Sequence, residues 1–243
     1  MSDVARLAAL IRERGPCVVL TGAGVSTESG IPDFRSATGL WAQFDPYDYG
    51  SIESFRANPA RIWEFYGPRL GTLAAAEPNA AHLALAQLER LGLVEAVVTQ
   101  NIDLLHERAG SRTLVEVHGS IRTSSCQRCG AVCPLERVLE LLPVPRCEVC
   151  ESVLKPDVVM FGELLPEAEI ERAFALAGGT GLMLVVGSSL EVYPVAGLPL
   201  ETVAAGGALA IVNRGPTGLD PRATLKLDAP AGETLAAVLE ELR

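Results

Sequence analysis

CVVLTGAGVSTESG, Cys17–Gly30, runs from an apolar, β-branched stretch straight into a glycine-rich turn. Cys17–Thr21 shows no alternation of polar and apolar side chains, so it reads as a strand buried on both faces of a parallel sheet. Upstream, Val4, Leu7, Ala8 and Ile11 recur at helical spacing behind Ser2 as N-cap, and Gly15 with Pro16 ends that helix. Downstream, Asn79 caps the helix AAHLALAQLERLG, which Gly92 closes, and EAVVT, Glu95–Thr99, is the next buried strand. Strand, helix and strand in this order are the signature of a βαβ unit.

The alternation continues along the chain. Leu114–His118, Asp157–Phe161, Gly181–Gly187 and Ala208–Asn213 read as further strands, with Thr224–Asp228 as a last edge strand before a C-terminal helix. EAEIERAFALAGG and PVAGLPLETVAAGG are the crossover helices between them. The predicted fold class is α/β: an open, doubly wound, mostly parallel sheet of about six strands, which binds ligands beyond the carboxyl ends of its strands. Two insertions interrupt it. Residues 37–78 are rich in aromatics and Pro and read as a helical piece, and residues 122–156 carry the cysteines. Both leave from carboxyl ends of strands, so together they wall a cleft there. The expected large domain is 1–36, 79–121 and 157–243.

Composition narrows the partners. The 243 residues hold 20 Lys plus Arg against 30 Asp plus Glu, a formal charge of -10, which disfavours direct binding of nucleic acid. Mean hydropathy is +0.27, yet Gly, Pro or charge breaks every apolar run before the roughly 18 residues of a spanning helix, so no membrane partner is expected. MSDVARLAALIRERG lacks the pattern of an export signal, and the expected compartment is cytoplasmic.

The six cysteines are therefore read as thiols rather than disulfides. Cys126-x-x-Cys129 and Cys147-x-x-Cys150 have the spacing of a zinc ribbon, in which four thiolates close a tetrahedral site. Such a site leaves no position for water, so one structural zinc ion is expected. Cys133 is an alternative ligand, and Cys17 reads as a small core residue. In Thr21–Gly30, Gly22 and Gly24 would let backbone N–H groups approach a pyrophosphate, although Thr27 stands where a third glycine of G-x-G-x-x-G would be. Gln100–Asp103 and His118–Ser120 end neighbouring strands, so Asn101, Asp103 and His118 converge on that loop. No Ser or Cys nucleophile with a paired base is evident.

Taken in order, GAGVSTESGIPDFR, TQNIDLLHERAG, VEVHGS, the two C-x-x-C pairs, KPDVVMFGE, VVGSSLEVYP and IVNRG resemble the sirtuins, NAD-dependent protein lysine deacylases, across nearly the whole chain. The resemblance implies a Rossmann-like domain and a small zinc domain, with NAD and the acyl-lysine of another protein meeting between them. There the substrate's amide oxygen attacks C1′ of the nicotinamide ribose, giving nicotinamide, 2′-O-acyl-ADP-ribose and free lysine. It implies His118 and Asn101 as catalytic residues, His118 being the base for a ribose hydroxyl, a task suited to imidazole. It implies NAD contacts from Gly22, Ala23, Gly24, Thr27, Asp33, Phe34, Arg35, Gln100, Asn101, Ile102, Asp103, Gly187, Ser188, Ser189, Asn213 and Ala231. Val159, Phe161 and Gly162 resemble the segment that pairs with substrate backbone. Lys155 stands where the family usually has Arg, and His82 and His106 read as packing or capping residues.

Tyr66 and Arg69 resemble the Tyr-x-x-Arg signature of members that prefer succinyl- or malonyl-lysine, since a guanidinium and a phenol can hold a distal carboxylate. Two features point the other way: Pro68 is expected to break the helix that aligns them, and Asp33 is common in the deacetylase type. Two rival readings remain: an NAD-dependent mono-ADP-ribosyltransferase, and a catalytically inactive zinc-ribbon binding module.

Overall fold

The computed structural model describes residues 1–243. Its strands are β1 (Cys17–Thr21), β2 (Val94–Thr99), β3 (Leu114–Glu116), β4 (Gly119–Cys126), β5 (Val132–Pro134), β6 (Leu154–Val158), β7 (Leu182–Val186), β8 (Ala208–Val212) and β9 (Leu225–Leu227). Six of them form one sheet in the order β3-β2-β1-β7-β8-β9, every pair parallel. The order reverses direction from β1, and β7 lies beside it. That is the topological switch of a doubly wound sheet, where ligands bind at the carboxyl edge.

Burial explains the uninterrupted apolar runs. Every residue of β1, β7 and β8 is buried, because helices cover both faces. On one face Leu7 and Ile11 of the Asp3–Arg14 helix, Leu85 and Leu88 of the Ala80–Arg90 helix and Leu235 of the Ala231–Leu242 helix pack on Val19, Val97 and Leu184. On the other, Ala173 and Ala177 of the Glu167–Gly179 helix and Leu198 pack on Val18, Leu20 and Val185. The predicted caps hold: Ser2 Oγ accepts from Ala5 N, and Asn79 caps the helix behind it in a box that His82 completes.

One strand falls elsewhere than the sequence pattern placed it. Asp157–Phe161 is not a member of the parallel sheet; the strand is β6, and it pairs antiparallel with β4 in a separate sheet of order β5-β4-β6. Hydropathy does not distinguish the two sheets, but the polar pairing does. Asp157 Oδ2 accepts from Ser125 Oγ at 2.9 Å and from Thr123 Oγ1. Gly119, at φ +69°, lets the strands approach so closely that a Cβ there would lie 2.2 Å from Asp157 O.

The two inserted segments share one core. Trp63, fully buried in the Pro59–Ala75 helix, packs with Leu70, Ile121, Cys126, Leu135, Val138, Cys147 and Leu154, and its Nε1 donates to Leu154 O at 2.7 Å. Pro68 does not break that helix. Both Pro68 and Glu64, whose carbonyl loses the i+4 donor, are exposed, so water can satisfy the orphaned acceptor. No helix is long and apolar enough to cross a membrane.

Candidate functional site

The carboxyl ends of β1, β2, β3 and β7 converge. Gln100, just past β2, joins them: its backbone N donates to Thr21 O at 3.0 Å, its Nε2 donates to Ser188 Oγ at 3.0 Å, and its carbonyl meets His118 Nδ1 at 3.0 Å. A carbonyl only accepts, so His118 carries its proton on Nδ1 and Nε2 is left with a lone pair. Burial lowers the His118 pKa; the Gln100 carbonyl works against this and the nearby Arg35 charge adds to it. The imidazole is thus held neutral, the form a general base needs.

Asn101 and Asp103 are almost fully buried and share one hydroxyl. Asn101 Nδ2 donates to Gly22 O at 3.2 Å and to Ser26 Oγ at 3.1 Å, and Ser26 Oγ donates to Asp103 Oδ2 at 2.6 Å. Leu105 N donates to Asp103 Oδ1 at 3.0 Å. Both protons of the Asn101 amide are thereby used, and its oxygen is the group left to accept.

Ser26, His82, Thr21, Thr99 and His106 were missed as site residues by motif reading. Asn79 N donates to His82 Nδ1 at 3.3 Å, which places the His82 proton on Nε2, 3.5 Å from Ser26 Oγ. His106 Nε2 lies 3.0 Å from Thr21 Oγ1, which donates to Thr99 Oγ1 at 2.8 Å; that oxygen in turn accepts from Asn101 N. The two imidazoles meet edge to face with centroids 4.7 Å apart. Burial pushes His82 down to about 4, opposed by the Asp103 and Glu28 charges, and pushes His106 well below the usual range. The capping reading of His82 is correct, yet it also orients the serine. The signal available in sequence was Ser26 inside the glycine loop and His82 at the third position after an N-cap.

The glycines of the loop pack closely on the turn that follows β7. The N–H of Gly22 donates to Val186 O at 3.2 Å and that of Gly24 to Gly187 O at 2.8 Å, so these two amides are used within the fold. Their lack of a Cβ admits the Gly187–Ser188 turn, since a Cβ on either would come within 3.0 Å of Gly187 O. Ala23 and Thr27 lie on the turn between Gly22 and Gly30, with Thr27 Oγ1 donating to Gly24 O. Asp33 Oδ1 accepts from Arg35 N and Ser36 N and shapes the next turn, and Arg35 pairs with Glu191 at 3.0 Å. Phe34 stacks on Trp41. Ser189 follows the Ser188 anchor, Asn213 follows β8 and donates to Arg214 O and Gly215 O, and Ala231 opens the C-terminal helix. Gly232 N, in its first turn, donates to Glu28 Oε1 at 2.9 Å and ties that helix to the loop. Ile102 packs on the small-domain core.

On the other wall, Val159 N donates to His118 O, Phe161 N to Gly50 O, and Ile52 N to Phe161 O. The N–H and C=O of Gly162 and the C=O of Val159 have no protein partner. Behind this segment Phe44, Tyr49, Phe65 and Tyr66 form an aromatic cluster. The Arg69 guanidinium lies 3.7 Å over the Phe65 ring, and its Nε is buried without a partner. Burial pushes Tyr66 up to about 12, with Arg69 lowering it and Glu163 raising it.

Cys126, Cys129, Cys147 and Cys150 present four sulfurs within 4.8 Å of one another. The Cys126–Cys150 and Cys129–Cys147 separations are 3.4 and 3.5 Å, close to the roughly 3.8 Å between thiolates of a tetrahedral zinc. The four-cysteine set could thus hold one zinc ion. Cys133, on β5, is not part of it. Cys17 is buried in β1 with its thiol raised to about 12 by desolvation, as a core residue would be.

A Sir2 family model matches residues 22–194. The NAD-dependent protein deacetylase of Caldivirga maquilingensis is 46% identical over 98% of this chain and 93% of that protein. The NAD-dependent protein deacylase of Pyrococcus furiosus is 41% identical over 96% of each. Among solved structures, a Sir2 variant with a deacetylated peptide and 3′-O-acetyl ADP-ribose superposes with a TM-score of 0.94 at 43% identity, covering 97% of both chains.

Proposed function

Because this chain belongs to the Sir2 family and is an NAD-dependent protein deacylase, we propose that the cleft between its two sheets holds NAD and an acylated lysine, with His118 as general base. The observation that carries the assignment is the His118 orientation. Its Nδ1 proton is tied to Gln100 O and its Nε2 lone pair is free, in a setting that keeps the ring neutral.

When bound, NAD supplies an electrophilic ribose carbon and a nicotinamide leaving group. The chain's residues then have distinct tasks. Asn101, with its amide protons committed, offers an oxygen to accept a hydrogen bond from the cofactor. Asp103, fixed by Ser26 and the Leu105 amide, positions the carboxamide end. Ser188, anchored by Gln100, together with Gly187, Ser189, Asn213 and Ala231 lines the adenosine side, and Ala23, Thr27, Asp33, Phe34 and Arg35 form the loop over the phosphates. His118 takes the proton of a ribose hydroxyl at Nε2, enabling it to attack the acyl group. The unpaired groups of Val159 and Gly162 suit main-chain pairing with the substrate peptide.

In this reading residues 1–36, 79–121 and 157–243 bind the dinucleotide, while 37–78 and 122–156 form the small domain, except that 119–121 and 157–158 lie in the small sheet and go with the latter. The cytoplasm is the fitting compartment, because reducing conditions keep zinc thiolates intact. Tyr66 and Arg69 stand three apart on an unbroken helix, and the unpartnered Arg69 Nε supports acceptance of an acidic acyl chain.

Incubation with NAD and acetyl-lysine peptide, read by mass spectrometry, tests the assignment. The expected products are nicotinamide, O-acyl-ADP-ribose and free lysine, with His118→Tyr folded, zinc-loaded and inactive. A protein that gains ADP-ribose indicates transfer instead, and a fully active His118→Tyr overturns the mechanism.

A further inference from the structure

Lys155 is 5% exposed, and burying an ammonium is costly unless all its protons find acceptors. Here they do. Nζ donates to Val158 O at 2.9 Å and Pro156 O at 3.2 Å, and it meets Glu163 Oε2 at 2.9 Å. The same Glu163 oxygen accepts from Met160 N at 2.9 Å, and Glu163 N closes the turn on Met160 O. One ion pair therefore spans residues 155–163 and bonds backbone groups at 156, 158 and 160. Within that span lie Val159 and Gly162, two residues with backbone groups that have no protein partner.

The core beneath the pair has links of its own. Trp63 and Leu154 already join the insertions, and Met160 packs separately with Ile52, Phe55 and Ile62. What the pair fixes is the path of a short segment that is neither helix nor regular strand after Val158. We propose that Lys155 and Glu163 are positioning residues for the acyl-lysine peptide: a buried ionic clamp that holds segment 158–163, including its turn from Met160 to Glu163, in the one path that leaves Val159 and Gly162 able to pair with a substrate strand. The inference rests on the deacylase reading of the cleft and goes beyond it by assigning peptide recognition to two residues that need not touch the peptide. Preorganisation of this kind acts on binding, because the segment does not have to be ordered when substrate arrives.

The test uses the full zinc-loaded chain with Lys155→Met, Glu163→Gln and Lys155→Arg, the last restoring a buried cation. Hydrogen exchange is read at the Met160, Phe161 and Ile52 amides, with the β1 and β7 amides as controls. Lys155→Met is expected to speed exchange at the first group by about tenfold or more and leave the controls unchanged. Its KM for an acetyl-lysine peptide should rise about tenfold, with kcat and the KM for NAD within about twofold. Glu163→Gln keeps an acceptor for Met160 N and should show a smaller shift of the same kind; Lys155→Arg should restore both readouts. Unchanged exchange in a folded variant overturns the clamp, and so does an equal rise in the KM for NAD and for peptide. A wild-type chain without deacylation would overturn the reading of the cleft instead, while the exchange result would still decide whether the clamp exists. If Lys155→Met does not fold, Glu163→Gln carries the same two readouts.

Discussion

Ser26→Ala removes one hydroxyl that holds two buried site groups. Ser26 is 1% exposed, donates to Asp103 Oδ2 at 2.6 Å and accepts from Asn101 Nδ2 at 3.1 Å. Very little volume is lost, so the cost arises from stranded polar groups rather than from a cavity. Asn101 keeps its bond to Gly22 O, but Asp103 Oδ2 loses its only protein donor. A hydrogen bond to a charged group contributes about 1.5–3 kcal/mol. In a chain of this length each kcal/mol moves Tm by about 2–4 °C, so the expected fall is about 3–12 °C. Circular dichroism melts of the zinc-loaded protein measure it. The same loss reaches the cofactor end, and NAD affinity should weaken about tenfold for each 1.4 kcal/mol that the bound state shares. A Tm within about 1 °C of wild type, with unchanged NAD affinity, would mean that water replaces the hydroxyl, and would refute the reasoning.

The pH profile should report His118. Because its pKa lies below the ordinary 6.5, the neutral base persists to lower pH; kcat/KM for an acyl peptide should rise with pH through a midpoint below 6.5 and then level, and a midpoint above 6.5 contradicts the assignment. Chelation of zinc should unravel the β5-β4-β6 sheet that the cysteines close and expose Trp63, red-shifting its emission and abolishing activity; zinc-free protein with unaltered emission and activity would show that the metal is dispensable. Arg69→Met should lower kcat/KM for succinyl peptide about tenfold while acetyl peptide changes little, as expected when a charge-assisted bond is lost. Succinyl activity equal to wild type removes the acid-acyl reading.

Much of the fold was legible because its signals are local. A strand buried on both faces has to be an uninterrupted apolar run, as in Cys17–Thr21 and Leu182–Val186, and a helix start needs a capping side chain, as Asn79 provides. The paired cysteines were legible for the same reason: two knuckles of fixed spacing leave few other arrangements around one ion. Asp157–Phe161 misled because apolar content marks a strand without naming its partner; the hydroxyls of Thr123 and Ser125, some thirty residues earlier in the chain, choose it.

Sequence by itself determined the parallel sheet, the thiolate set and the residues that end the strands at the cleft. Each follows from chemistry within a few neighbouring positions. Tertiary structure decided what those residues do to one another. It spends the Gly22 and Gly24 amides on the neighbouring strand and turn, makes Ser26 the link between Asn101 and Asp103, and sets the His118 proton through the Gln100 carbonyl. It also buries Lys155 against Glu163. These are hydrogen bonds and desolvation between groups far apart in the chain, so they exist only once the strands have been brought together.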